Sequence, residues 1–204
     1  MSFLKNTRKP TGLGGKLMLN MMNLCHAPLA DWGMKCLPLP ADARALDCGC
    51  GGGANMRKLL KKCPQGIVKG IDYSPVSVEK TKKVNETAIA EGRCAVLQGS
   101  VADMIFADDW FDAVTAFETV YFWPDPARCF REVCRVLKPG GTFLICNECG
   151  DAASGAKWEK RIDGMTVCTA AQLKVLLKQA GFGDVQIHTN RMGWLCVTGR
   201  KKEE

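Results

Sequence analysis

The sequence predicts an α/β fold, a doubly wound mixed sheet of seven strands that closes with an antiparallel hairpin and carries an N-terminal helical extension. Three observations predict it. Short apolar runs alternate with helical stretches from Ala43 onward, and the first run turns into a helix through a glycine-rich loop at Gly49–Gly53. The last two apolar runs follow each other with no helix between them. Strands that alternate with helices and are apolar on both faces belong to parallel sheets covered on each side. Two successive strands without a crossover pair most simply as a hairpin.

Taken in order, Leu13 to Trp32 has room for a helix that ends before the Pro38-Leu-Pro40 break. Ala43–Cys48 reads as the first buried strand, followed by glycines and a helix over Asn55–Lys62. Gly66–Tyr73 is the second strand, and Pro75 suits the first turn of a helix running to Ala90. Cys94–Gln98 and Phe111–Phe117 are the third and fourth strands. Pro124 and Pro126 punctuate the start of a helix over Asp125–Leu137, and Gly141–Cys146 is the fifth strand. Thr169–Ala180 places Leu173, Leu176, Leu177 and Ala180 at helical spacing, with Gly181 as its terminator. Val185–His188 and Trp194–Gly199 complete the set as the hairpin.

Composition narrows the class. A chain of 204 residues fits one domain with a small extension. With 47% hydrophobic and 24% charged residues it is neither disordered nor fibrous. The formal net charge of +7 comes from scattered Lys and Arg, which is little ground for a nucleic-acid partner. Apolar stretches are strand-sized, so no membrane span is expected. The 12 cysteines would suggest a disulfide scaffold only behind a secretory leader, which the first residues do not resemble. A cytoplasmic, reducing location with thiols used as small core hydrophobes is the expectation. Cys146 and Cys149 form a lone C-x-x-C near a strand end, and Cys48 and Cys50 flank Gly49. A second ligand pair at zinc spacing is missing, so no metal site is assigned.

The glycine loop carries the chemistry. Glycine there lets the backbone come close to a ligand, and the helix behind it offers free N–H groups to an anionic part. Asp72, at the end of the second strand, is placed to accept both hydroxyls of a ribose. Gly49, Gly51 and Ala54 also satisfy the dinucleotide pattern, so at this level a nicotinamide oxidoreductase fits as well.

The wider run separates the two. Leu46-Asp-x-Gly-x-Gly-x-Gly53 with Asn55, Gly70-Ile-Asp72-Tyr-Ser74, Phe111-Asp-Ala-Val114 and Leu137-Lys-Pro-Gly-Gly141 occur in that order. Together they resemble the class I S-adenosylmethionine-dependent methyltransferases, in the branch that methylates small molecules. The resemblance covers about Ala43 to Arg200 and implies a Rossmann-like fold with S-adenosylmethionine as cofactor. It implies that residues 43–204 form the methyltransferase domain and residues 1–42 a lid. Asp47 and the loop at Gly49, Gly51 and Gly53, with Asn55, would hold the methionine portion. Asp72 would hold the ribose and Tyr73 would lie against adenine. In Gly99-Ser100-Val101, Ser100 stands where the family has an acidic residue for the adenine amine, so the serine hydroxyl or the Val101 backbone amide would serve instead. Phe117-Glu118-Thr119, after the fourth strand, would line the methionine end and face the substrate.

Methyl transfer from a sulfonium is an in-line displacement from an activated donor, so alignment and water exclusion dominate and no enzyme nucleophile is needed. Catalytic residues therefore leave little trace. His26 has a suitable range for a general base, Tyr121-Phe-Trp123 can form an aromatic wall, and Glu148 follows the fifth strand. Each has an ordinary alternative as a packing, core-covering or solvated residue. The partner expected is a small molecule, with a homodimer left open and a non-catalytic cofactor-binding module as the third reading.

Overall fold

The computed structural model describes residues 5–8 and 10–203; residues 1–4 and 9 of the expected lid, and residue 204, lie outside them. The N-terminal segment folds as α1 (Lys5–Arg8), α2 (Gly12–Cys25) and α3 (Ala27–Gly33), the last extended by a 3-10 turn over Met34–Cys36. The helix expected over 13–32 is thus two helices, broken at His26. Pro28 stands in the first turn of α3, where proline is tolerated but cannot continue a preceding helix.

Then follow β1 (Arg44–Cys48), α4 (Ala54–Lys62), β2 (Ile67–Asp72), α5 (Pro75–Val84), α6 (Glu86–Ala90), β3 (Cys94–Gln98) and β4 (Phe111–Phe117). The second half holds α7 (Pro126–Val136), β5 (Leu137–Asn147), α8 (Ala152–Glu159), α9 (Ala170–Gln179), β6 (Phe182–Thr189) and β7 (Leu195–Lys201). One seven-stranded sheet results, in the order β3-β2-β1-β4-β5-β7-β6. The first five strands are parallel, and β7 runs antiparallel to both β5 and β6. The expected hairpin is present, with β7 as the inner strand.

Both faces of the sheet are covered. Leu46, Cys48, Val114 and Ala116 point to a cluster with Phe130 and Val133 of α7 and Leu173 and Leu177 of α9. Ala45, Ala113 and Phe117 point the other way, to Leu29, Ala30 and Leu37 of the N-terminal segment and Met56 and Leu59 of α4. Residues of α3 therefore help to close the core beneath the sheet, while α2 lies farther out, over the strand ends.

Three local departures from expectation have physical causes. The helix expected over 75–90 breaks at Asn85, whose side-chain amide donates to the carbonyls of Thr81 (3.0 Å) and Gly53 (3.2 Å). Strand β5 begins four residues early, because Leu137 already pairs with Phe111 ahead of a register shift. Helix α8 has no apolar stripe, only Gly155 being buried, and starts where the Asp151 carboxylate accepts from the N–H groups of Ala153 and Ser154 (2.9 Å each).

Candidate functional site

Strand order reverses about β1: the chain moves outward through β2 and β3, then crosses back to β4 on the other side. In open α/β sheets the crevice at the strand carboxyl ends beside such a reversal is the ligand site. A cavity of about 370 Å³ lies there, within the size range of small-molecule pockets. Its floor is the Gly49–Gly52 stretch, Asp72, Tyr73, Ser100, Val101 and Phe117 to Thr119. Its roof comes from the N-terminal segment: Arg8 and Pro10, then Leu19, Met22, Asn23, His26 and Leu29.

At one end the backbone does most of the work. Gly49 has φ +75°, and a Cβ there would sit 2.1 Å from the Thr119 hydroxyl oxygen, so both conformation and space demand glycine. Asp72 is buried; one of its carboxylate oxygens accepts from the Gly51 N–H (2.9 Å) and the other from the Ser74 N–H (2.9 Å). Each oxygen keeps lone-pair capacity toward the cavity that Asp72 lines. The Thr81 hydroxyl donates to the Gly51 carbonyl at 2.8 Å. Tyr73 donates its hydroxyl to the Arg8 carbonyl, and the Ser74 hydroxyl donates to Pro10 at 3.0 Å, which ties the N-terminal segment to this end. Asn55 lines the cavity; Ser100 does too, its hydroxyl accepting from the Ala102 N–H at 3.2 Å.

Two of the expected binding residues stand outside the cavity wall. Gly53, at φ +80°, caps α4 and packs against Asn85 and Thr81. Asp47 is 1% exposed; Thr115 donates to its Oδ1 at 2.7 Å, while Oδ2 is buried without a partner. Burial pushes the Asp47 carboxyl up to about 7, the Thr115 hydrogen bond opposes this, and the nearby Asp72 charge adds to it. A buried carboxylate oxygen left unpaired beneath a glycine loop fits a site built to receive a polar or cationic ligand group.

At the other end side chains dominate. Glu118 closes β4 with φ +58°, an uncommon conformation for a residue with a side chain. Its Oε1 accepts from the Glu148 N–H and lies 3.2 Å from the Tyr121 hydroxyl. Desolvation raises the Glu118 carboxyl to about 8. Burial lowers His26, against an opposing pull from Glu148. Glu148 itself is exposed, and one ligand atom from each of His26, Glu118 and Glu148 lies within 4.8 Å of the others. Tyr121 is buried behind the wall, accepting from the Cys149 N–H at 2.9 Å; it touches Glu118 rather than the cavity. Of the Tyr121–Trp123 segment, Phe122 and Trp123 line the cavity.

The cysteine pair is not brought together as a ligand set. Cys146 is fully buried opposite Cys196 of β7, and Cys149 meets Tyr121 through its backbone. All 12 cysteines are free. Thr119, expected beside Glu118 at the methionine end, lines the cavity and packs against Gly49. The sequence did not point to Asn23, whose amide donates to the Gly52 carbonyl at 3.0 Å, or to Thr81 and Asn85, which hold the loop from outside. Only Asn85 left a signal, as a helix-breaking residue within a helical stretch.

The methyltransferase domain family matches residues 46–145. The chain is 31% identical over 154 residues to the Arabidopsis thaliana cycloartenol-C-24-methyltransferase, covering 68% of this chain and 44% of that protein. It spans about half or less of the length of the curated relatives it matches. Among solved structures, geranyl diphosphate C-methyltransferase from Streptomyces coelicolor, determined with S-adenosyl-L-homocysteine, superposes with a TM-score of 0.75 at 14% identity, covering 86% of this chain and 79% of that one. A chain from the complex of the Haloferax volcanii Trm112 methyltransferase activator with a methyltransferase reaches a TM-score of 0.82 at 22% identity, covering 92% and 94%. The motifs at Gly49–Gly53 and Asp72, the sheet order and the family match agree, and the chain belongs to the class I S-adenosylmethionine-dependent methyltransferase family.

Proposed function

We propose that the protein transfers a methyl group from S-adenosylmethionine to an apolar small molecule. The observation that carries this reading is one continuous cavity with Asp72 and Tyr73 at one end and His26 and Glu118 at the other. In it, Asp72 would hold the ribose hydroxyls, Tyr73 and Val101 would border adenine with Ser100 beside its amine, and Gly49 and Gly51 would let the backbone close on the methionine portion. Asp47 and Gly53 would act from beneath the loop, and Asn55 from the start of α4. The bound cofactor supplies a methyl group on a positively charged sulfur. The chain's own residues orient the two reactants and keep water out.

Leu19, Met22, Leu29, Phe117, Phe122 and Trp123 make the remaining wall apolar, which supports an acceptor with a hydrocarbon body. The cycloartenol substrate in the name of the Arabidopsis relative supports the same class. Residues 5–33 would act as the lid. A cytoplasmic setting belongs to the same proposal and rests on the eight cysteines packed inside the core.

Thermal unfolding separates this reading from its rivals. S-adenosylhomocysteine raises Tm and NADH does not; the reverse result makes the protein a nicotinamide enzyme. Methyl transfer is then sought by mass spectrometry over sterols, prenylated quinols and other apolar hydroxyl compounds. Tight S-adenosylhomocysteine binding with no product across that panel would leave a cofactor-binding module in place of the enzyme.

A further inference from the structure

We propose that His26, Glu118 and Glu148 form a binding site for one divalent metal ion at the acceptor end of the cavity. The three residues come from separate parts of the fold, the α2–α3 junction and the ends of β4 and β5. Their donor atoms nevertheless converge to within 4.8 Å of one another. Ligands on one ion at bond lengths near 2.1 Å stand about 3.4 Å apart in a tetrahedral site. The three donors therefore need to close by little more than about 1 Å. Glu148 is the exposed member and has the freedom to move, whereas Glu118 is fixed by the Glu148 N–H and by Tyr121.

Two carboxylates lie here side by side, and among the described residues neither makes an ion pair with Lys or Arg. A divalent ion would supply the positive charge that no Lys or Arg provides there. The donor set is one imidazole nitrogen with two carboxylate oxygens and no thiolate, which suits Mn²⁺, Fe²⁺ or Zn²⁺ rather than a soft ion such as Cu⁺. Three protein ligands leave further coordination positions open, the pattern of catalytic rather than structural sites. His26 and Glu118 both line the cavity, so those positions face the space where an acceptor would lie. The ligand such an ion would take there is an oxygen of the acceptor, which it would hold and polarise. That role rests on the methyltransferase reading; the binding of the ion does not.

The test uses the full chain, stripped with chelator, and Mn²⁺ alone as the probe, because Mn²⁺ has little affinity for the 12 thiols. Titration calorimetry and the loss of the free-ion electron spin resonance signal should show one saturable site. His26→Ala and Glu118→Gln should each weaken it at least tenfold. Glu148→Gln should weaken it less, since its side chain is exposed. His26→Ala should keep its thermal stabilisation by S-adenosylhomocysteine, which shows that the fold and the cofactor end survive. Absence of saturable Mn²⁺ binding, or binding indifferent to both His26→Ala and Glu118→Gln, overturns the site. Mn²⁺ binding in a wild-type chain that ignores S-adenosylhomocysteine would instead keep the site and sink the methyltransferase reading.

Discussion

The end of the cavity around Asp72 and the end around Glu118 are held together by different means. Around Asp72 the key bonds join a side chain to main-chain groups of the adjacent glycine loop: the Gly51 N–H to Asp72, the Thr81 hydroxyl to Gly51, the Asn85 amide to Gly53. Around Glu118, side chains from three distant segments meet one another, and the support beneath them is a Tyr121 hydroxyl shared with Cys149. A site made from backbone must recruit glycine at fixed steps, as the close Thr119 contact at Gly49 shows, and so it constrains the local sequence. A site made from side chains needs only that each residue sit at the right strand end, and many sequences satisfy that. The first kind suits a cofactor of constant shape; the second can change with the acceptor.

The largest expected effect tests whether the cofactor end stores an unpaired acid. Burial holds Asp47 up to about 7, whereas an aspartate in the unfolded chain titrates near 3.9. Between those values the folded protein keeps a proton that the unfolded chain has released. Stability from this group is therefore full below about pH 4, falls as pH rises, and is lost once pH passes about 7. The loss amounts to something on the order of 3–4 kcal/mol in the ligand-free protein. The neighbours that act on it are Thr115 on β4, which opposes the rise, and Asp72 on β2, which adds to it; the Cys48 and Cys50 thiols beside it are themselves raised by burial and by Asp47. Asp47→Asn cannot ionise, so its urea-unfolding free energy should lack this slope between pH 4.5 and 7.5. The asparagine amide adds a pH-independent cost of its own, which is why the slope and not the level is the readout. Parallel pH curves for the two proteins would mean that Asp47 is charged and solvated in the native state.

Next in size is Asp72→Ala, which removes the acceptor for the Gly51 and Ser74 N–H groups and the expected ribose contact together. S-adenosylhomocysteine affinity should fall by about 1.5–3 kcal/mol, or about 10- to 150-fold, by calorimetry. If the dissociation constant stays put, the cofactor does not use this end, and the contrast between the two ends dissolves.

The same contrast explains what the sequence disclosed. Strands β1 and β4 were legible because both of their faces are buried, leaving near-continuous apolar runs such as Phe111–Phe117. The seven-stranded mixed sheet and its terminal hairpin followed from the order of those runs. Helix α8 was not legible, since a helix with a single buried glycine has no periodicity to read. Nor was the early start of β5, where Lys138-Pro-Gly-Gly reads as a turn although Leu137 already pairs with Phe111. The glycine loop and Asp72 announced themselves by spacing. Asn23 and Thr81 did not, because a single polar residue in a helix does not reveal that its partner carbonyl lies on a loop some 30 residues away; Asn85 showed only as a helix breaker, not as a support of that loop. Tyr121 and Trp123 were visible as an aromatic segment, yet which of them faces the cavity depends on the 3-10 turn at Val120–Phe122.

The smallest effect probes a side-chain bond that fastens α2 to the glycine loop. The Asn23 amide donates to the Gly52 carbonyl at 3.0 Å, and a Cβ on Gly52 would come within 2.4 Å of that amide, so the helix sits directly on the loop. Asn23→Ala removes one hydrogen bond between partly buried groups, a loss of about 0.5–1.5 kcal/mol. Global stability should therefore change little, because the core contacts of α3 remain. Local opening should change more: amide exchange across Gly12–Cys25 should quicken about 2- to 10-fold relative to α3, as an element anchored through Gly15, Met18 and Leu19 loses a hydrogen bond. S-adenosylhomocysteine affinity should weaken only a few-fold, since the loop keeps its bonds to Asp72, Thr81 and Asn85. An exchange rate unchanged in α2 would show that the exposed helix is held by its packing on α5 and α3 instead, and that the roof of the cavity is as rigid as its floor.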